Sequence, residues 1–206
     1  MTTASKAYPV TLKGEMTETP SSWKWIFKWL LGIPHYIVLC FLWIAFIVVS
    51  IIAFFAIVFT GKYPKDLFKF NVGVLRWSWR VGFYSYQALG TDKYPPFSLD
   101  PDPNYPADLD IPYPEKLSQG LVWIKWWLLA IPHLIIVCIF QGGAGWKMGG
   151  LTFVLAIFGG FSLLFTGKYP ADIFKLVIGM DRWVYRVLAY VSLMTDEYPP
   201  FRFWDS

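Results

Sequence analysis

Residues 8–103 and 105–206 carry the same ordered set of motifs twice. The first copy runs Trp25, Gly32-Ile33-Pro34-His35, Cys40, Phe59-Thr60-Gly61-Lys62-Tyr63-Pro64, Asp66, Phe68-Lys69, Gly73, Arg76-Trp77, Arg80, Thr91-Asp92 and Tyr94-Pro95-Pro96-Phe97. The second runs Trp123, Ala130-Ile131-Pro132-His133, Cys138, Phe165-Thr166-Gly167-Lys168-Tyr169-Pro170, Asp172, Phe174-Lys175, Gly179, Arg182-Trp183, Arg186, Thr195-Asp196 and Tyr198-Pro199-Pro200-Phe201. A tandem duplication restricts the fold to two related units, and in a membrane these are either parallel or inverted. The boundary falls at 103/104. Repeat 1 is 1–103, with membrane helices over about 22–60 and an amphipathic helix over about 64–90. Repeat 2 is 104–206, with membrane helices over about 119–167 and an amphipathic helix over about 170–194.

The membrane reading comes from composition and run length. Apolar residues make up 56% of the chain and charged residues only 16%, below the quarter usual for soluble domains. Residues 126–146 and 148–167 contain no Asp, Glu, Lys or Arg, and each run is near the roughly 20 residues a bilayer crossing needs. Lys147 separates them inside the glycine-rich stretch 141–150, which reads as a loop. The first repeat aligns with the second once Gln141–Met148 is removed. Its uncharged run, 29–61, would be about 50 Å long as one helix, against a hydrocarbon core of about 30 Å. The polar N-terminal stretch predicts no cleavable signal peptide. Cys40 and Cys138 lie in apolar runs and predict no disulfide framework.

Basic residues follow both Gly-Lys-Tyr-Pro turns, built from Gly61, Lys62, Tyr63 and Pro64 and from Gly167, Lys168, Tyr169 and Pro170. A hydrophobic hairpin in each repeat keeps both turns on the cytoplasmic side, as the positive-inside bias asks. One long span per repeat, with the next helix as a second span, is the alternative. After each turn, Lys69, Arg76 and Arg80, and Lys175, Arg182 and Arg186, fall on a narrow stripe at spacings of seven and four. The stripes are the expected lipid- or partner-binding residues. Their possible counter-charges are Asp66 or Asp172 of the same repeat, anionic headgroups, or another protein. Each repeat opens with an extended arm, Tyr8–Leu12 and Tyr105–Leu109, and a Pro/Asp-rich segment 95–114 joins the two.

These motifs resemble a prokaryotic membrane family known as the domain of unknown function numbered 4389, over nearly the whole chain. The resemblance implies a bacterial or archaeal integral membrane protein and supplies no catalytic residues. The expected fold is an all-α integral membrane protein of the cytoplasmic (inner) membrane. It would have two tandem repeats, each a hydrophobic hairpin or one long span plus a basic-striped amphipathic helix. The expected function is non-enzymatic: a lipid-associated scaffold or accessory subunit, with membrane lipids, further copies or other membrane subunits as partners. Nucleic acid is not implied, because the basic residues sit among Trp, Phe and Val. Two alternatives stand. One is a transporter or channel lined by the stripes. The other is a redox or light-harvesting subunit that uses His35 and His133 as ligands. The histidine reading is opposed by the absence of supporting ligand spacing, so no metal and no cofactor are expected.

Overall fold

The computed structural model describes residues 8–142 and 149–204. The chain is mostly helical: β1 (Thr11–Gly14), α1 (Lys28–Thr60), α2 (Lys65–Tyr84), β2 (Ala107–Asp110), α3 (Ile131–Gln141), α4 (Leu151–Thr166) and α5 (Ala171–Val191). A 3-10 turn, Lys24–Phe27, leads into α1, and a 3-10 turn and a π-helical segment, Lys125–Leu129, lead into α3.

The first repeat contains no hairpin. Between Pro34 and Gly61 the chain has no Gly, Pro, Asn or Asp to reverse it, and α1 runs unbroken for 33 residues. Its buried positions Gly32, His35, Leu39, Phe46, Ala53 and Ile57 recur at spacings of three, four and seven, which is one stripe. The rest of its surface is exposed and apolar. It is the one described helix long and apolar enough to cross a membrane.

The second repeat is the same helix, interrupted. Counted forward from His133, Gly142 occupies the place of Ile44; counted back from Gly167, Gly150 occupies that same place. The two glycines touch: a Cβ on Gly142 would lie 2.6 Å from the Gly150 nitrogen. Thr152 donates from Oγ1 to the Phe140 carbonyl at 2.8 Å, joining residues that match Leu42 and Phe46, one turn apart in α1. Moving along the pair, Lys125 meets Thr195, Gln141 meets Asp181, and Leu163 packs near Phe174, so α3 and α4 pass α5 in one direction. A hairpin would have sent α4 back towards Val191. The expected glycine-rich loop is thus an insertion, of which residues 143–148 lie outside the described residues.

The chain forms three layers. α1 and the α3–α4 helix form the outer layer. α2 and α5 form the middle layer, and residues 71–77 and 79–84 of α2 are buried all round. The β1–β2 ribbon and the Pro/Asp-rich segments form the third. The expected amphipathic helices are internal beyond their first turns, because their polar stripe faces the ribbon and the extended segments instead of water. Gly61 and Gly167 end the outer helices, each with φ 67°. That left-handed conformation suits glycine as a helix terminator, and the Thr60 and Thr166 hydroxyls accept from Lys62 N and Lys168 N, both at 3.2 Å.

An approximate two-fold axis relates the repeats. The arms pair antiparallel, and Leu12 lies opposite Leu109, its own counterpart. Trp25, at the start of the first outer helix, packs against Phe161 near the end of the second. Trp123 reciprocally packs against Phe54. The outer helices therefore run antiparallel. The arms are also exchanged: Tyr8 donates to the Glu197 carbonyl at 3.0 Å and lies 5.5 Å under the Arg186 guanidinium, while Tyr105 donates to the Lys93 carbonyl at 3.2 Å. Because each repeat completes the other, residues 1–103 and 104–206 expressed singly should each fail to give a cooperative thermal transition. Co-expression should restore a soluble-in-detergent complex by pull-down, and a lone repeat melting like the full chain would contradict the exchange.

Candidate functional site

The charged stripes are latches. Arg76 donates from Nε to the Leu109 carbonyl at 2.9 Å and from a terminal nitrogen to the Leu99 carbonyl at 2.9 Å, and pairs with Asp108 at 3.0 Å and Asp110 at 3.2 Å. Arg80 is fully buried, donates to the Asp100 carbonyl at 2.9 Å and pairs with Asp108 at 3.2 Å. In the second copy Arg182 donates to the Phe203 carbonyl at 3.1 Å and Arg186 to the Arg202 carbonyl at 3.0 Å. Leu99 and Phe203 are equivalent positions, so each Arg pair pins the segment that follows its own Tyr-Pro-Pro-Phe. These four arginines are thus engaged inside the fold instead of presented to lipid or a partner. Asp66 and Asp172 are not their counter-charges. Asp66 lies ten positions before Arg76, about 15 Å along the helix, and both carboxylates face solvent. Of the stripe, Lys69 and Lys175 alone are exposed, together with Lys62 and Lys168 of the turns.

The histidines are plugs. His35 Nδ1 accepts from Trp77 Nε1 at 3.0 Å, and the ring stacks on Phe97 at 4.0 Å with Tyr94 at 4.8 Å. His133 repeats this with Trp183 at 3.0 Å, Phe201 at 4.3 Å and Tyr198 at 4.8 Å. An Nδ1 that accepts places the ring proton on Nε2, so both rings are neutral. Since the outer helices are antiparallel and each histidine lies near the start of its own, the two imidazoles sit at opposite ends of the molecule. They cannot share one ion. Among the described residues no group of three or more His, Cys, Asp or Glu side chains converges as a metal site.

Sequence reasoning missed a third repeated element. Lys28 is fully buried, donates to the Thr91 carbonyl at 2.7 Å, pairs with Asp92 at 3.1 Å and lies 5.0 Å from the Tyr84 ring centroid. Lys125 does the same with Thr195, Asp196 and Tyr190, at 3.0, 2.6 and 5.7 Å. Asp92 and Asp196 also accept from the backbone N–H of Ser21 and Ser118. Burial raises Asp92, but the Ser21 hydrogen bonds and the Lys28 charge outweigh it and hold the carboxyl below its usual range. That clasp is present above the unfolded carboxylate pKa and lost as pH falls through the folded one. The signal was in the sequence but out of phase. Lys28 precedes His35 by seven residues and Lys125 precedes His133 by eight. The π-helical segment Lys125–Leu129 absorbs the extra residue.

The turn motifs are structural too. Tyr63 is buried, its hydroxyl accepts from Asn71 Nδ2 at 2.9 Å, and its carbonyl accepts from the Tyr113 hydroxyl. Tyr169 fills the equivalent place beside Gly159, where a Cβ would come within 2.3 Å of its ring.

The fold and these fastenings define a class: a two-repeat, approximately two-fold helical protein with arginine latches, histidine plugs and an exposed apolar layer. The chain belongs to the family described as Domain of unknown function (DUF4389), whose model matches residues 22–98 and 122–202. No curated protein and no solved structure matches the chain.

Two substitutions test these roles. Arg80→Gln takes a wholly buried guanidinium away from the Asp100 carbonyl and from Asp108, which keeps Arg76, and should cost about 1–3 kcal/mol, read as a fall in Tm; Lys69→Gln should leave Tm unchanged. His35→Leu leaves the Trp77 indole N–H without an acceptor, a loss of about 1–3 kcal/mol. The same variant should alter Trp fluorescence without changing metal content.

Proposed function

We propose that this chain is an integral protein of a prokaryotic cytoplasmic membrane, acting without catalysis as a lipid-embedded scaffold or accessory subunit. The observation that carries this reading is the outer layer. Ile37, Phe41, Ile51 and Phe55 of α1, with Ile135 and Phe158 of the second outer helix, leave apolar side chains exposed over one continuous side of the slab. Exposed apolar area on that scale needs an apolar medium.

The layering also favours an orientation. Trp43, halfway along α1, donates from Nε1 to the Ser78 hydroxyl at 3.1 Å; Arg76, half a turn away on α2, holds Asp110 and the Leu99 carbonyl. Exposed Asp100 and Asp110 are therefore level with the middle of α1. Standing α1 along the bilayer normal would carry both carboxylates to mid-depth, at a cost of several kcal/mol each. Laying the outer helices in the membrane plane buries their apolar side in one leaflet and keeps the acidic layer in water. Lys62 and Lys168 then sit at opposite ends of the slab but on the same side of the membrane, near anionic headgroups. There each basic residue contributes about 1 kcal/mol of attraction.

Membranes washed with high salt and alkaline carbonate should retain the protein, and detergent should release it. With Cys40 and Cys138 replaced, Lys62→Cys and Lys168→Cys should both resist an impermeant thiol reagent in intact cells and both react in inverted vesicles. Reaction of one from each side would support two inverted spans and overturn the in-plane reading.

A further inference from the structure

The duplication supplies its own control: where the copies differ, the fold has been made both ways. Most differences exchange one apolar residue for another. Two buried clusters do not: in one, Asn71 and Ser50 of the first copy stand where the second has Val177 and Ala156; the other puts an ionisable group in the core. Asp181 stands where the first copy has Leu75, Gln141 where it has Trp43, and Thr152 where it has Phe46. The first copy packs that region with a fully buried Leu75 and a buried Phe46. A carboxyl and an amide are therefore not needed to build it.

Two of the three length differences between the copies end at this cluster; the third is the extra residue in Lys125–Leu129. Gln87 lies in the four residues between Tyr84 and Leu89, where the second copy has two residues between Tyr190 and Leu193. Gln141 borders the insertion bounded by Gly142 and Gly150. Asp181 is wholly buried, and its Oδ1 accepts from Gln87 Nε2 at 2.8 Å and Gln141 Nε2 at 3.2 Å. Its Oδ2 has no hydrogen-bond partner among the described residues, nor has the buried Tyr169 hydroxyl. A pocket of about 250 Å³ opens over the two amides, lined also by Gly150 and Thr152. Its counterpart across the approximate axis, about 480 Å³, is lined by Phe46, Ile47 and Leu193 and is apolar.

The ionisable groups that feel Asp181 are Tyr169, in the turn before α5, and Tyr185 on α5 itself, and burial holds both neutral. The turn after α2 and the end of α3 face it with the uncharged Gln87 and Gln141. Asp181 forms no ion pair with a described residue. Burial pushes its carboxyl well above the usual range, against the two amide hydrogen bonds. Among the described residues no cation stands ready to balance an ionised Asp181.

We propose that Asp181, Gln87 and Gln141 form a binding site for a compact monovalent cation, which Asp181 accepts in exchange for its proton. The carboxyl O–H bond breaks, the proton passes to water through the pocket, and the carboxylate meets the cation. The net charge of the site is the same before and after. Gln87 and Gln141 turn their amides so that the carbonyl oxygens, in place of the N–H groups, face the ion. A single carboxylate with neutral oxygens matches one positive charge; divalent ions draw several carboxylates. The proposal does not rest on how the chain meets the membrane.

The test uses the full chain in nanodiscs of uncharged lipid, in weak buffer with a pH-reporting dye near neutrality. Addition of NaCl or KCl, against choline chloride at equal ionic strength, should release a proton per chain, saturably, with at least one of the two salts. Asp181→Asn and Asp181→Leu should abolish the release. Asp181→Leu, which restores the first copy's residue, should keep or raise Tm. Absence of release from the parent chain overturns the proposal, as does release that survives in Asp181→Leu. A marked fall in the Tm of Asp181→Leu would make the carboxyl a structural group and overturn it equally. Release that appears only after Lys147→Ala would show that the chain fills the site with its own ammonium, which also overturns it.

Discussion

A buried guanidinium is the constraint on which the layering depends. Arg80 has no exposed surface, and a charge so placed persists only if the fold brings acceptors to it. It finds them in main-chain carbonyls of the Pro-rich segment and in Asp108 of the opposite arm. The proline residues matter here: they hold the segment extended and keep its carbonyls out of any helix or sheet, free to accept. Once that segment is pinned behind α2, the opposite side of α2 is left for α1. The aromatic residues of Tyr-Pro-Pro-Phe are then delivered to the histidine. Latch, plug and lysine clasp are three consequences of one path of the chain.

Internal fastening explains why so few polar side chains remain for the outside. The residues that recur in both copies hold outer helix to inner helix and inner helix to ribbon. Recurrence between copies therefore marks what the architecture requires. Departure from recurrence marks what it can spare, and the polar group at Asp181 stands out by that measure.

Much of this was legible from the residues. The duplication, the helices after each Gly-Lys-Tyr-Pro turn and the extended arms follow from motif spacing and periodicity, and the arms do form a short ribbon. The single continuous outer helix in place of a hairpin was not legible, because the run 29–61 fits no whole number of crossings and only the second copy carries glycines there. The insertion imitated a turn between two spans. Gly142 instead touches Gly150, so α3 and α4 continue one another as one interrupted helix. The arginine partners were missed because Asp108 and Asp110 belong to the other repeat's arm, and local spacing cannot register an exchange between distant segments. Lys28 and Lys125 were missed because a π-helical turn moved one of them by a residue.

The pairing of Leu12 with Leu109 has a thermodynamic consequence. A chain with only one copy of this design would satisfy its arm, its latch and its ribbon by meeting a second copy about a true two-fold axis, as an isologous dimer does. Its stability would then vary with its own concentration. Here the covalent join sets the effective concentration of one half for the other, so folding is no longer dilution-sensitive. The join also lifts the symmetry. In a dimer every substitution appears on both sides of the axis, and a buried acid would be introduced twice. In this chain one half can hold an ionisable core residue while the other keeps leucine in the same place.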